Sequence, residues 1–299
     1  MKIAVIFGGS GFLGQSVIQK LLKQNFRIKV ITQDKEKSAF LKTFAAPDFL
    51  TLIQWDYKNF EQLDGILKNA DFVINLVGIL AEEKKGDFNK SHSELSDEIS
   101  KRCHNLNTKN LVYVSALGAN RTSKSLYLKS KILAEEKVLQ NFPQATILRP
   151  SIIFGEGDNF FNKFAKMARP LGILPLINNG KTKFQPIYVE DVAEIICKSY
   201  DNKKVQGKIY EIGGDKVYSF KSLLEMVGSY LNIEIKFVNL PFAAASLLAH
   251  FLEIATKKIL TTDQIEMLKT DNVLSENNFK TDFAINPKMV EEIVPNYIR

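Results

Sequence analysis

Tyr127 and Lys131 stand four residues apart in the segment SLYLKSKILAEE and are the side chains best suited to move a proton. Residues with this spacing share one face of an α-helix, so the phenol and the ammonium are expected to point the same way. A free phenol has a pKa of about 10, and an adjacent ammonium lowers that pKa because it stabilises the phenolate. The pair is therefore suited to general acid–base chemistry near neutral pH.

A third candidate for chemistry is a hydroxyl. The apolar run Leu111-Val112-Tyr113-Val114 has the composition of a buried strand, and Ser115 follows it directly. Polar side chains at the carboxyl end of a parallel strand lie at the edge of the sheet where ligands bind. We therefore expect Ser115 to lie at the same edge as the other two side chains.

Three glycines near the start of the chain indicate which kind of ligand would lie beside Tyr127, Lys131 and Ser115. The run GGSGFLG places Gly8, Gly11 and Gly14 between the apolar segment 3–7 and apolar residues at helical spacing. In such a turn the first glycine allows a tight exit from the strand, the second lets backbone approach a pyrophosphate, and the third brings helix against sheet. A second strand-like run at 27–32 completes a βαβ unit. The sequence thus predicts a dinucleotide site with the phosphates at the helix N-terminus.

The residues after the second strand-like run bear on which dinucleotide binds. A carboxylate there binds the ribose 2′-hydroxyl of NAD, whereas a basic side chain accepts the 2′-phosphate of NADP. The chain has Gln33 at this point, followed by Asp34 and by Lys35 and Lys37. We expect NADP(H) to be preferred, with the lysines supplying charge, and NAD(H) with Asp34 on the ribose is the alternative.

Two further positions are expected to contact the cofactor. Asp56 follows the third strand-like run, where its carboxylate could accept from the adenine amino group, and Tyr57 is next to it. Gly78, in NLVGIL after the fourth run, would let backbone approach the ribose and nicotinamide.

Strand-like and helix-like segments alternate through the first two thirds of the chain. The later apolar runs of strand length are 50–55, 72–76, 111–115 and 146–148. Such alternation is typical of an α/β protein with a doubly wound parallel Rossmann sheet. We expect an NAD(P)-binding domain at 1–150, completed by parts of 184–215, and a smaller, partly interleaved lobe for a substrate or a docking partner at 151–299.

Composition limits the remaining options. Of 299 residues, 45% are hydrophobic and 24% charged, which allows a large core. Cys103 and Cys197 have no metal-ligand or disulfide spacing, so we expect no metal and a reducing compartment. The strand-like run at 3–7 leaves no evident cleavable targeting peptide, and we expect a cytoplasmic location, with peripheral contact at the inner face of a membrane as the alternative.

The net charge of +7 fits an anionic cofactor, an anionic membrane surface or nucleic acid. Nucleic acid is not expected, because the lysines are dispersed and no nucleic-acid-binding motif accompanies them.

The least polar stretch, PFAAASLLAHFLEIA at 241–255, is followed by Lys257 and Lys258. It is shorter than the about 20 apolar residues that span a bilayer. We favour a buried helix of the small lobe, with His250 packed inside it. The alternative is an interfacial or partner-binding helix, in which Pro241 to Lys258 contact a membrane.

Several segments together resemble an atypical branch of the short-chain dehydrogenases/reductases. They are VINLVGIL (73–80) with downstream Phe88 and His92, SALGAN, YLKSK, LRPSIIFGEGDNFFNKFA (148–165), FQPIYVEDVA (184–193) and LTTDQIEMLKTDNVL (260–274). The set is similar to the NAD(P)H-binding accessory subunits of respiratory complex I, the alpha-subcomplex subunit nine family with its bacterial homologues. It is also similar to a reductase-like family linked to ubiquinone biosynthesis.

The resemblance implies a dinucleotide at the carboxyl edge of the sheet, held mainly as a structural element. The residues that it implies in contact with the cofactor are Gly8, Ser10, Gly11, Phe12, Leu13, Asp56, Val77, Gly78, Ser115, Tyr127, Lys131, Pro150, Ser151, Ile152 and Ile153. Two positions depart from the pattern: Gln33 stands where related chains often have a basic residue, and Leu95 stands where related helices tend to have a glycine. In addition, Ala116 stands where many short-chain dehydrogenases have their active serine.

Three functions follow as hypotheses. We favour an NAD(P)H-binding accessory or assembly component of NADH:ubiquinone oxidoreductase, or of other quinone-linked membrane chemistry. The second is an active NAD(P)H-dependent oxidoreductase in which Tyr127 moves the proton, Lys131 holds the ribose and Ser115 holds the carbonyl. The third, a nucleotide-sugar epimerase or dehydratase, rests on chain length and glycine spacing alone.

Overall fold

Parallel strands alternate with helices along the computed structural model, which describes residues 1–254, 260–275 and 278–298. The strands are β1 (Ile3–Phe7), β2 (Arg27–Thr32), β3 (Leu50–Gln54), β4 (Phe72–Asn75), β5 (Asn110–Val114), β6 (Thr146–Pro150), β7 (Ile153–Phe154), β8 (Ile173–Ile177), β9 (Lys183–Phe184), β10 (Ile187–Tyr188), β11 (Ile209–Ile212), β12 (Tyr218–Ser219) and β13 (Lys236–Leu240). The helices are α1 (Phe12–Lys23), α2 (Gln62–Leu67), α3 (Leu95–Asn105), α4 (Leu126–Asn141), α5 (Phe161–Ala168), α6 (Val189–Ser199), α7 (Phe220–Leu231), α8 (Phe242–Ile254), α9 (Thr262–Met267), α10 (Phe279–Phe283) and α11 (Val290–Ile293).

Within these ranges, seven strands form one parallel sheet in the order β11-β6-β5-β4-β1-β2-β3. Six of them have the 3-2-1-4-5-6 order of doubly wound dinucleotide-binding folds, and β11 adds a further parallel strand beside β6. Strand β1 pairs with β2 on one side and β4 on the other, so the strand order reverses there and a crevice opens at the carboxyl ends. The predicted fold class is confirmed, whereas the domain division at residue 150 stays a prediction.

The sheet has an apolar core on each face because side chains alternate across a strand. Ala4 and Ile6 of β1 belong to the core that includes α1 and α6. Val5 and Phe7 belong to the opposite core, with α2, α3 and α4. Helix α4, which carries the tyrosine and lysine, is thereby fixed above one face of the sheet.

The smaller lobe has its own core, in which α5 and α7 pack with β8. Its buried members include Phe154, Phe161, Leu174, Phe220 and Leu224. Along the chain its segments alternate with α6 and β11, which pack in or on the large sheet. The lobe is therefore interleaved with the sheet, as the sequence predicts.

Helix α8 does not have the expected burial. Leu247 and Phe251 are each 60% exposed, whereas Ala245 and Ala249 are buried. His250 is exposed, so the expectation of a buried helix around a packed histidine is wrong. The physical reason is that the face that packs consists of small alanines, and the large apolar side chains point outward.

The rest of the predicted 241–258 segment, including Lys257 and Lys258, lies outside the described residues. Among the helices that the structure describes, none combines the length and the apolar character needed to cross a membrane.

Candidate functional site

The glycine loop joins β1 to α1 at the crevice. Gly8 has a φ of +79°, and a Cβ on it would lie 3.1 Å from the backbone of Leu76 at the end of β4. A Cβ on Gly14 would lie 2.5 Å from the Cα of Gly9, so only glycine lets the loop close on the helix. Gly11 is the N-cap of α1 and supplies no side-chain cap. The first amides of the helix are left open, which is the arrangement that binds a phosphate.

Lys131 reaches from α4 to the carboxyl ends of two neighbouring strands. Its Nζ donates to the carbonyl of Val114 at 3.1 Å and to that of Val77 at 3.4 Å. A Cβ on Gly78 would lie 3.3 Å from this Nζ. Burial lowers the pKa of Lys131 to about 7, against the opposing effect of the Glu135 charge. The lysine thus lies beside the crevice, where a ribose hydroxyl could replace a carbonyl as its partner.

Tyr127 lies among aromatic rings one turn before Lys131. Its ring centre is 5.8 Å from that of Phe88 and 5.5 Å from that of His92, with both contacts edge-on. Burial, and after it the negative charge of Asp263, raises the pKa of Tyr127 well above the usual value. The expectation that the ammonium lowers this pKa is therefore wrong, because desolvation has the larger effect. The phenol remains protonated at neutral pH.

His92 connects the loop after β4 to α4. It is fully buried in the π-helical turn Asn89–Glu94. Its Nε2 accepts from the amide of Ile79 at 3.1 Å, so Nδ1 carries the proton and donates to Ser130 Oγ at 2.7 Å. Ser130 in turn donates to the carbonyl of Tyr127 at 2.7 Å. Burial lowers the pKa of His92 to about 2, which keeps the ring neutral.

The Ser115 hydroxyl forms a hydrogen bond with a buried carboxylate of α4. Its hydroxyl donates to Glu135 Oε1 at 2.5 Å, and Arg149 Nη2 donates to Oε2 of the same buried carboxylate at 2.6 Å. Glu135 follows Tyr127 by eight residues, a rise of about 12 Å along a helix. The prediction that Ser115 holds a carbonyl oxygen is therefore corrected: its hydroxyl donates its proton to a buried carboxylate that is ion-paired with Arg149.

The loop after β2 carries the residues expected to choose between cofactors. Asp34 Oδ1 accepts from the amides of Glu36 and Lys37 at 3.1 and 3.0 Å, and its Oδ2 lies 3.3 Å from Lys37 Nζ. The Lys37 amide has the largest part in lowering the pKa of Asp34. Gln33, Lys35 and Lys37 are exposed. The carboxylate is thus turned toward its own loop, and the basic side chains are turned toward solvent.

The residues after β3 form a similar turn. Asp56 Oδ1 accepts from the amides of Lys58 and Asn59 at 3.0 and 3.3 Å. Tyr57 has a φ of +59°, and its ring lies edge-on to Trp55 with centres 4.9 Å apart. Burial raises the pKa of Tyr57 to about 12. Asp56 is exposed, whereas Tyr57 is directed into the protein.

The turn after β6 closes the other side of the crevice. Ser151 Oγ donates to Asn272 Oδ1 at 2.7 Å, which ties the turn to the C-terminal part of the chain. Further along the chain, a Cβ on Gly155, directly after β7, would lie 3.4 Å from the ring of Phe12 at the start of α1. The residue after β7 therefore lies beside the first residue of α1.

Two groups of predicted cofactor residues emerge. Those on or next to the carboxyl ends of β1, β4, β5 and β6 and on α1, β7 and α4 are Gly8, Ser10, Gly11, Phe12, Leu13, Gly14, Val77, Gly78, Ser115, Tyr127, Lys131, Pro150, Ser151 and Ile153. Those at the tips of the outer strands β2 and β3 are Gln33, Lys35, Lys37, Asp56 and Tyr57. In the part of the chain that the structure describes, no group of three or more His, Cys, Asp or Glu could hold a metal ion.

Two residues of the surroundings have no assigned role in the sequence reasoning. Asp263 accepts from the Ser125 hydroxyl at 2.7 Å, at the start of α4. The sequence signal in this region is the Thr261-x-x-Gln264 capping box, which predicts that a helix begins but not what it contacts. His92 is indicated by the sequence only through the family resemblance, which gives it no role.

The match to known proteins agrees with this geometry. The model of the NAD dependent epimerase/dehydratase family matches residues 4–213. The chain belongs to this family. Among solved structures of the same fold is the NADPH-dependent quinone oxidoreductase QOR2 of Escherichia coli complexed with NADPH, with a TM-score of 0.77, 18% identity and 97% of each chain covered.

Two of the curated relatives of this epimerase/dehydratase family member are named as subunits of NADH dehydrogenase or NADH-ubiquinone oxidoreductase. The chain is 32% identical over 291 residues to NADH dehydrogenase [ubiquinone] 1 alpha subcomplex subunit 9, mitochondrial, of Arabidopsis thaliana, covering 93% of this chain and 72% of the relative. It is 25% identical over 299 residues to the NADH-ubiquinone oxidoreductase 40 kDa subunit, mitochondrial, of Neurospora crassa, covering 99% of this chain and 78% of the relative.

These matches confirm the resemblance to atypical short-chain dehydrogenases/reductases with complex I subunits among the homologues. NAD(P) dependence is a property of the epimerase/dehydratase family, and a preference for NADP(H) stays a prediction. The prediction of a cytoplasmic location is wrong, because both relatives are named as mitochondrial proteins. The placement of the first strand in the sequence was not sufficient ground for it.

Proposed function

We propose that this chain is a dinucleotide-holding accessory subunit of a NADH:ubiquinone oxidoreductase of the mitochondrial type, in which the bound cofactor is not turned over. The observation that carries the proposal is the hydrogen bond of Ser115. Its hydroxyl donates its proton to the buried carboxylate of Glu135, so it does not donate to a substrate carbonyl beside Tyr127 and Lys131. The relatives named as complex I subunits support the assembly.

The residues that would hold the dinucleotide follow from the crevice. The open amides after Gly11 would bind the pyrophosphate, and the lack of a side chain at Gly78 would admit a ribose beside Lys131. The cofactor would supply hydride chemistry if a substrate reached it. Lys131 would donate to ribose hydroxyls in place of the carbonyls that it contacts now.

We propose NADPH as the preferred form. Asp34, the acid nearest to the end of β2, already accepts hydrogen bonds from its own loop. Lys35 and Lys37 are exposed at the same edge, where a 2′-phosphate would lie.

The second candidate function is an active reductase. It is favoured by one observation: Tyr127 and Lys131 share a face of α4, with the lysine Nζ 5.9 Å from the centre of the phenol ring. In that function the phenol would give a proton to a substrate oxygen as hydride leaves the nicotinamide.

Binding and turnover measured on the same preparation separate the two functions. We expect calorimetric titration of the full chain to give saturable NADPH binding that is tighter than NADH binding. We expect no NADPH consumption above background with short-chain quinones or carbonyl compounds. Turnover that is present in the wild type and lost in Tyr127→Phe, with cofactor still bound, would overturn the holding function and support the reductase. Absence of binding would overturn both.

We also propose that α8 contacts a membrane or a membrane-bound partner. Its exposed Leu247, Leu248 and Phe251 support this proposal, since large apolar side chains grouped on one short helix mark interaction surfaces.

A further inference from the structure

The short helix α9 contacts the start of α4, which carries the tyrosine and the lysine. The Ser125 hydroxyl donates to Asp263 Oδ2 at 2.7 Å, and the amide of Leu126 donates to Oδ1 at 2.6 Å. Ser125 is the N-cap of α4, and the amide of the first helical residue has no partner inside a helix. A carboxylate at this point also faces the positive end of the helix dipole. Asp263 therefore fixes the first turn of α4, which includes Tyr127.

The same helix reaches the loop on the other side of Lys131. The side-chain amide of Gln264 lies 3.5 Å from the carbonyl oxygen of Leu80, two residues after Gly78. Gln264 is held in turn by the capping box, because its backbone amide donates to Thr261 Oγ1 at 3.1 Å. Helix α9 thus bridges α4, which carries Lys131, and the loop after β4, whose Val77 carbonyl accepts from the lysine.

Helix α9 is also joined to the exposed helix α8. Glu253 of α8 accepts from the amide of Thr262 at 2.7 Å and from its hydroxyl at 3.1 Å. Ala245 and Ala249 pack in one apolar cluster with Ile265 of α9. The two helices form one packed unit, with one side on the site and the other exposing large apolar side chains.

We infer that Asp263 is a positioning residue that couples this α8–α9 unit to the dinucleotide site. The inference rests on the proposed function, since it concerns regulation of the same site. A dinucleotide that orders the start of α4 and the loop after β4 stabilises the two surfaces on which α9 lies. Coupling of this kind is reciprocal. The factor by which a partner that holds α8 in place increases affinity for the dinucleotide equals the factor by which the dinucleotide increases affinity for that partner.

Hydrogen–deuterium exchange of the full chain, with and without saturating NADPH, tests the coupling. In the wild type we expect NADPH to slow exchange in the glycine loop 8–14 and, by about fivefold or more, in 242–254 and 262–267. Asp263→Ala removes both acceptors. In that variant we expect the glycine loop to remain protected, the protection of α8 and α9 to disappear, and NADPH affinity to fall by a similar factor.

Two further variants act as controls. Asp263→Asn keeps an oxygen acceptor for the Leu126 amide and is expected to retain the protection. Glu266→Ala removes a carboxylate of the same helix that pairs with the nearby Lys269, and this variant is expected to behave like the wild type.

The outcomes distinguish the coupling from the function on which it rests. If NADPH protects nothing in the wild type, the proposed function fails and the coupling fails with it. If NADPH protects the glycine loop but not α8 and α9 in the wild type, the coupling is overturned and the proposed function stands; this comparison needs no variant. Protection of α8 and α9 that survives Asp263→Ala, or that is lost equally in Glu266→Ala, overturns the role of Asp263.

Discussion

Gly11 and Gly14 lie three residues apart in one loop, yet a side chain would meet different surroundings at each. A Cβ on Gly11 would approach only the Gly8 carbonyl oxygen, at 3.3 Å, and the residue is exposed. A Cβ on Gly14 would overlap the backbone of Gly9 at 2.5 Å. The second glycine therefore serves the fold, and we propose that the first serves a ligand.

Substitutions at these two positions are expected to separate binding from stability. Gly11→Val fills the space that a pyrophosphate needs, so we expect NADPH affinity to fall below detection in calorimetry while the melting temperature stays near that of the wild type. Gly14→Ala is expected to lower the free energy of unfolding by about 3 kcal/mol or more, because the backbone must shift. Unchanged NADPH affinity in Gly11→Val would contradict the phosphate assignment.

His92 makes stability depend on pH in a stated direction. Its pKa is about 2 in the folded chain and 6.5 in the reference state. Between these values the unfolded state binds a proton that the folded state does not, so the free energy of unfolding falls as the pH falls below about 6.5. Glutamine does not titrate, so the unfolded state of His92→Gln does not take up this proton.

Urea unfolding of the wild type and His92→Gln at pH 7 and pH 5 checks this linkage. At pH 7 we expect the variant to be less stable by about 1–3 kcal/mol, since buried hydrogen bonds are lost. At pH 5 the difference in free energy of unfolding is expected to be smaller, because only the wild type is destabilised by protonation of His92 in the unfolded state. A difference that is the same at both pH values would show that the buried imidazole does not remain neutral.

At the scale of elements, the sequence predicts what local patterns determine. The run predicted at 27–32 is strand β2, and those predicted at 72–76 and 146–148 fall on β4 and β6. In each case the apolar pattern within the segment is sufficient. Which face of α8 is buried depends on remote segments, and the alanines that pack against α9 give no strong signal in the sequence.

The candidate site shows the same limit. The glycine spacing and the Tyr127–Lys131 pair are local patterns, and the predicted elements carry them. The contact between Ser125 and Asp263 joins residues 138 positions apart, and no pattern within either segment predicts it. The partner of Ser115 was likewise out of reach, because sequence shows that a hydroxyl ends a strand but not that a buried carboxylate lies beside it.

The exposed face of α8 predicts an interaction that can be measured. Each large apolar side chain that leaves water contributes about 1.5–3 kcal/mol. We therefore expect the double variant Leu247→Ser, Phe251→Ser to bind anionic lipid vesicles at least tenfold more weakly than the wild type in a sedimentation assay. Val238→Ser, which removes a side chain 51% exposed on β13, is the matched control and is expected to have no effect. Equal sedimentation of the double variant and the wild type would exclude α8 as the contact.

At the scale of the whole molecule, the chain joins a dinucleotide crevice to an outward-facing helix. Helix α9 makes the connection, since it contacts α4 on one side and α8 on the other. Through this connection, a bound cofactor that is not turned over could stabilise the exposed helix. This is the role proposed for the chain as a subunit, and the relatives are named as subunits of NADH:ubiquinone oxidoreductase.

The measurement that tests this account most directly is purification of the tagged chain from detergent-solubilised membranes of its native source, with co-purifying proteins identified by mass spectrometry and bound nucleotide quantified. We predict recovery of NADH:ubiquinone oxidoreductase subunits together with stoichiometric NADP(H). Recovery of the chain without those subunits, or with them but without any dinucleotide, would contradict the account.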